Sequence, residues 1–166
     1  SGHSQKFVDE MKGFSSVPQD LEAVDTPKEA VNDADVICAA TTSSTPVLQY
    51  KDLKSGVHIN GVGSFQPSMQ EIDSETIRNA LVFVDSRESA LSETGDLTIP
   101  IQEGIIGLNH LRAEIGELLE NPSLGRKTHD EITFFKSCGV AVQDVVAAGM
   151  ALEQAKKNNL GKIIRM

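Results

Sequence analysis

The chain has 166 residues, 39% hydrophobic and 23% charged, the composition of a soluble globular domain with room for one core. A formal charge of −9 argues against nucleic acid as a partner, because phosphate contacts need clustered Lys and Arg. No apolar run approaches the roughly 20 residues needed to cross a bilayer, and no signal peptide opens the chain, so a membrane is not expected either.

In chain order, "SQKFVDEMKG" at 4–13 sets Phe7, Val8 and Met11 on one helical face, with Gly13 as its stop. The preceding Ser1–His3 are open to reading as a cloning scar. "DLEAVD" at 20–25 alternates as a short strand. In "TPKEAVNDAD", Thr26 is an N-cap, with Pro27 at the first helical position and Glu29 three residues after the cap. "DVICAAT" at 35–41 reads as a strand covered on both faces. A turn at Ser55–Gly56 leads to a strand near 57–60, and "SETIRNA" at 74–80 is helical. "LVFVDS" at 81–86 is a strand, followed by a helix in "RESALSET" that stops near Gly95. "IPIQEG" and "NHLRAEIGELLEN" read as helices, "EITFFKS" as a strand, and residues 139–159 as the longest helix. That last helix has a basic end that suits its macrodipole. The tail "KKNNLGKIIR" is read as a solvated helix end.

Strands that are continuous apolar runs, alternating with helices, predict an α/β domain: a Rossmann-like parallel sheet with helices on both faces. In such sheets ligands sit beyond the carboxyl ends of the strands. Four segments place small or hydroxylated residues there: "AATTSSTP", "GVGSF", "DSRES" and "KSCG". Thr41 and Thr42 can donate to ribose or phosphate oxygens. Gly61 and Gly63 would let a ring or pyrophosphate lie against the backbone, although a tight turn would ask for glycine too. The GxGxxG phosphate fingerprint is absent, since "GVGSFQ" lacks the third glycine and the helix after it.

Acid–base candidates are few. Ser64, Ser86 and Ser137 lie at strand ends outside any GxSxG setting. His58 reads as a satisfied core or edge histidine, and Asp144 as a hydrogen-bonded buried carboxylate. Asp85 could be a loop cap or a site residue. Cys38 and Cys138 read as buried reduced thiols of a cytoplasmic protein. His3, His58, His110 and His129 show no ligand spacing relative to them, so no metal is expected.

Four stretches taken together, "EAVNDADVICAATTSSTPVL", "LKSGVHINGVGSFQPSMQEID", "LVFVDSRESALSETGDL" and "TFFKSCGVAVQDVVAA", resemble the ornithine cyclodeaminase and mu-crystallin family. The resemblance covers about residues 4–157. It implies NAD(P)-dependent chemistry on an amino acid or its cyclic imine. The members' reactions include ornithine to proline, ketimine or pyrroline carboxylate reduction, and amino-acid dehydrogenation. The alternative it implies is a non-catalytic, mu-crystallin-like protein that binds cofactor or ligand. By position it assigns Thr41, Val62, Gly63, Ser137 and Gly139 to the NAD or NADP site, to which the strand-end reading adds Thr42 and Gly61, and it implies a homodimer for the full-length protein.

Ser64 falls, on this resemblance, where cyclodeaminases carry a proton-transferring aspartate. A serine hydroxyl titrates far above neutrality and cannot do a carboxylate's work as a base unaided. A reductase or dehydrogenase tolerates it better. The family's N-terminal domain, first Rossmann strands and GxGxxG turn have no counterpart in these 166 residues. The chain is therefore expected to be a single partial Rossmann-type domain, the C-terminal portion of a longer enzyme and inactive alone. With the pyrophosphate cradle absent, calorimetric titration with NAD(P) should give weak or no binding; micromolar affinity would contradict the expectation.

Overall fold

The computed structural model describes residues 2–162 and 164. Five short strands form one parallel sheet: β1 (Val36–Ala39), β2 (His58–Gly61), β3 (Leu81–Val84), β4 (Leu111–Glu114) and β5 (Thr133–Lys136). Their spatial order is β1-β2-β5-β3-β4, which makes β5 the central strand although it comes last in sequence. The four strands expected from apolar runs sit together, with Ile37, Ile59, Phe134 and Val82 side by side in register. These are β-branched or aromatic residues with polar groups only at the run ends, as a sheet buried in α/β packing requires.

The described residues also form seven α-helices: α1 (Gly2–Met11), α2 (Pro27–Val31), α3 (Ser74–Asn79), α4 (Arg87–Glu93), α5 (Gly95–Gln102), α6 (Ile115–Glu120) and α7 (Ala141–Lys157). Several start where their sequence says. The Thr26 hydroxyl accepts the Glu29 N–H at 3.2 Å, and the Glu29 carboxylate turns back to accept the Asp25 N–H. The Asp73 carboxylate accepts the Thr76 N–H at 3.0 Å to open α3. Such caps satisfy amides that the helix itself leaves without partners.

The two sheet faces are unequal. One face carries Ile37, Ile59, Val82, Val84 and Phe134 into a core shared with Ile72, Ile77, Ala90 and Leu97. The other is open over β1 and β2, where Val36 is 60% exposed and Cys38 also reaches solvent. The expectations of a two-face cover and of a buried Cys38 both fail here. On this face His58 is satisfied within the sheet, its Nδ1 2.8 Å from Thr133 Oγ1 and its Nε2 3.3 Å from Asn60 Oδ1.

Three further expectations are corrected. Residues 20–25 make no strand, because the sheet offers them no neighbour; Leu21–Val24 lie instead against Phe7 and Val8 of α1 around a shared cavity. Residues 111–114, read as the start of a helix, form β4 beside β3, with Leu111 and Ala113 buried and Arg112 exposed. Pairing at the sheet edge overrides the helix preference of "LRAE", and the helix begins only at Ile115. Third, α7 lies within the expected 139–159, but all its residues except the half-buried Ala155 are exposed, so Asp144 is no buried carboxylate.

The β1 edge has no strand beside it among the described residues. Burial predicts where stability resides. Phe134 is fully buried at the centre of the sheet, whereas its neighbour Phe135 points to the half-open face. Phe134→Ala should lower unfolding free energy by about 3–5 kcal/mol in urea titrations. Phe135→Ala should cost clearly less, and equal costs would contradict this account of the faces.

Candidate functional site

The loops after β1, β2, β3 and β5 meet at one end of the sheet, held by backbone hydrogen bonds that extend the strand ladders. The Val62 N–H donates to Ala39 O at 2.8 Å, the Ser137 N–H to Gly61 O at 3.0 Å, and the Asp85 N–H to Lys136 O at 3.4 Å. Gly61 and the turn at 137–139 are thus neighbours. The edge expected from the sequence exists as a continuous structural unit.

Two carboxylates organise it. Glu71 is fully buried and accepts three backbone N–H groups: Thr41 on Oε1 at 2.5 Å, and Gly63 and Ser64 on Oε2 at 2.7 and 3.0 Å. Asp85, at the end of β3, accepts Cys138 and Gly139 N–H on Oδ2 at 2.8 and 2.6 Å, and the Ser137 hydroxyl at 3.3 Å. Asp85 is therefore the cap of the 137–139 turn. Charge-assisted bonds of this kind are stronger than amide–carbonyl bonds and fix loop backbones well.

Behind Glu71 lies a second buried layer. Asp96 accepts the Glu71 and Ile72 N–H groups on Oδ1 at 2.7 and 3.1 Å. Its Oδ2 is 3.5 Å from Lys136 Nζ, an ion pair without a direct hydrogen bond, with both side chains fully buried. Burial pushes the Asp96 carboxyl above its ordinary value of 3.8, opposed first by the Ile72 N–H and then by Lys136. Cys138 responds to the same setting: burial pushes its thiol up to about 11, so it is protonated at neutral pH.

The sequence-predicted residues take distinct places. Thr41 and Thr42 are exposed, and the Thr41 hydroxyl accepts the Ser43 N–H at 3.1 Å within its own turn. Val62 is half exposed. Gly139 has φ +82° with open space where a side chain would stand, and Ser137 is half buried against Asp85.

Gly61 and Gly63 are explained by the chain itself. A Cβ on Gly63 would stand 2.0 Å from Thr41 O and 2.5 Å from Glu71 Oε1, and one on Gly61 would stand 2.7 Å from the Phe134 ring. Ser64 is 1% exposed. Its hydroxyl donates to Met69 O at 2.6 Å and lies 2.8 Å from Thr94 Oγ1. With its one proton given to Met69, it must accept from Thr94, which fixes the loop to the start of α5. The side chain that projects from this loop is Phe65, 60% exposed.

Sequence reasoning passes over Glu71, Asp96, Thr94 and Lys136. One signal was available: a lysine ending the apolar strand "TFFK" needs a buried counter-charge somewhere. Among the described residues no group of three or more His, Cys, Asp or Glu is placed to hold a metal ion, and no helix is long and apolar enough to cross a membrane.

An open parallel sheet with braced loops at the carboxyl ends of its strands defines a Rossmann-like ligand-binding fold. Its family is specific: the model of the ornithine cyclodeaminase/mu-crystallin family matches residues 2–159, and the chain belongs to that family.

Among curated relatives, the Delta(1)-pyrroline-2-carboxylate reductase of Bacillus cereus is 47% identical over 137 residues, covering 82% of this chain and 42% of the relative. An alanine dehydrogenase of Archaeoglobus fulgidus is 34% identical over 164 residues, covering 98% and 48%. Among solved structures, that of the Thermococcus litoralis Delta(1)-pyrroline-2-carboxylate reductase in complex with NADH and L-proline superposes with a TM-score of 0.91. Its identity is 36%, and the match covers 98% of this chain and 50% of that one. The chain spans about half the length of the curated relatives it matches.

The buried charges generate a prediction. Lys136→Met leaves the buried Asp96 without its paired cation and should cost about 3–5 kcal/mol in urea titrations. The pH dependence has a definite sign. Because the folded-state pKa of Asp96 is raised, the folded protein holds the extra proton between 3.8 and that higher value. Asp96's contribution to stability therefore falls as pH rises through the window. Lys136→Met should carry the window further upward; an unchanged profile would show that the lysine does not compensate the aspartate.

Proposed function

We propose that this chain is the nicotinamide-side portion of an NAD(P)-dependent reductase acting on a cyclic imino acid of the pyrroline carboxylate type. The observation that carries the proposal is the convergence of the loops at 41–42, 61–64 and 137–139 on one sheet edge, tied together through Ala39 O and Gly61 O. The similarity to a reductase solved with NADH and L-proline supports the cofactor and the substrate class.

The edge fits a flat ring better than a phosphate. Half-exposed Val62 and open Gly139 flank the Gly61–Ser137 junction, while the Glu71 and Asp85 carboxylates turn inward onto backbone amides. Val62, Gly63, Ser137 and Gly139 would hold the nicotinamide, and the Thr41 and Thr42 hydroxyls would reach its ribose. The nicotinamide, when bound, supplies the hydride that reduces the imine carbon. The chain's own part is to shape and dry the surface on which that transfer occurs. Buried, with its one proton given to Met69 O, the Ser64 hydroxyl acts here by holding the loop, not by moving the proton. This favours reduction over cyclodeamination, which on the family resemblance relies on a proton-transferring carboxylate at this position. The proposal includes a cytoplasmic setting, and a homodimer, the latter supported by the exposed Val142, Val145, Val146, Met150 and Leu152 of α7.

The test is turnover by the protein that carries this chain. With NADH or NADPH, Δ1-pyrroline-2-carboxylate should be reduced to L-proline with loss of reduced-nicotinamide absorbance, and ornithine should release no ammonia. Ammonia from ornithine would assign it to cyclodeamination. Fluorescence quenching without cofactor consumption would make it a binding protein.

A further inference from the structure

Glu71 joins two loops through one side chain. It lies 30 residues from Thr41 and 8 and 7 residues from Gly63 and Ser64, and it receives amides from both loops on different oxygens. Its own backbone is anchored independently on both sides. The Glu71 N–H donates to buried Asp96, while its carbonyl accepts Val47 and Leu48 N–H at 2.8 and 3.2 Å. The carboxylate therefore cannot follow one loop without dragging the other. Gly63 completes the arrangement, because the space its side chain would fill is already occupied by Glu71 Oε1 and the Thr41 backbone.

We infer that Glu71 is the positioning residue of the ligand edge. Its carboxylate sets the spacing between the Thr41 turn and the Val62–Ser64 loop, and through that spacing the affinity for the nicotinamide end of the cofactor. It touches no ligand and acts only through the amides it holds. The inference rests on the cofactor site proposed above, but the latch and the site can be tested separately. A neutral amide at position 71 keeps one acceptor oxygen and turns an N–H2 donor towards backbone donors, so one loop must let go. A carboxylate serves both loops because it offers acceptors on both sides and no donor.

The experiment uses the whole protein that carries this chain, isotopically labelled, with NADH as the probe. Wild type, Glu71→Gln and Ile72→Val are compared by amide hydrogen exchange and by NADH-induced chemical-shift changes. Ile72→Val loosens the same buried segment without touching either loop. In Glu71→Gln, exchange at Thr41, or at Gly63 and Ser64, should rise about 10-fold or more. The NADH dissociation constant, read from shifts at Val62 and Ser137, should rise at least about 10-fold, a difference of about 1.4 kcal/mol. Ile72→Val should leave both readouts near wild type.

Release of one loop without any change in affinity would overturn the inference, as would equal effects from Ile72→Val. Should Glu71→Gln fail to fold, wild type still decides. Amide protons of Thr41 and Gly63 bonded to a carboxylate resonate downfield and exchange slowly, and ordinary shifts at both would overturn it. Exchange rising in one loop with no NADH shifts in wild type would overturn the cofactor site while upholding the latch.

Discussion

The structure depends on burying an ion pair at the end of its central strand. Lys136 and Asp96 are both removed from water, and each ion pays several kcal/mol of lost hydration unless charge and hydrogen bonds offset it. Asp96 meets that requirement by taking two backbone amides from residues 71 and 72 while facing the lysine. The position of Glu71 follows from this. So does the placement of the segment after β2, which must return across the sheet to bring residues 71–72 over Asp96. The polar layer is thus a device of specificity more than of net stability, since an apolar replacement could fill the same volume but could not choose where residue 71 goes.

From that layer outward, the ligand edge is built by carboxylates that bind backbone rather than ligand. Glu71 ties the loops after β1 and β2, and Asp85 ties the turn after β5 to the end of β3. Both turn their charge inward onto N–H groups. What remains outward is largely Val62, Phe65, Gly139 and the threonine turn, an uncharged surface. On the reading proposed above this surface orients a cofactor, and it shows little acid–base machinery of its own.

Much of the fold was legible because parallel strands buried in a sheet leave a plain signal. "VICA", "HIN", "LVFV" and "TFFK" are short apolar runs between polar turns, and each became a strand. β4 was illegible because four residues of helix-favouring composition run straight into a true helix, and only the neighbouring strand distinguishes them. The converse holds for 20–25, where alternation is present but no partner strand is. The ligand edge was legible from its position at strand ends. Its internal supports were not, because Glu71, Asp96 and Lys136 are brought together only by folding. Each alone looks like an ordinary charged residue of an acidic chain. Ser64 shows the same limit: a hydroxyl in a glycine-rich loop looks available until burial shows both its bonds taken.

The bare side of β1 has a colloidal consequence. Among the described residues no strand pairs with the outer edge of β1, an arrangement open to pairing with a second molecule, and the exposed Val36 and Cys38 lie on the adjoining surface. What holds copies apart is mutual repulsion from the formal charge of −9. That repulsion reaches only about 8 Å at physiological salt and less in concentrated brine. For these 166 residues taken alone, raising the ionic strength should therefore favour stacking edge to edge.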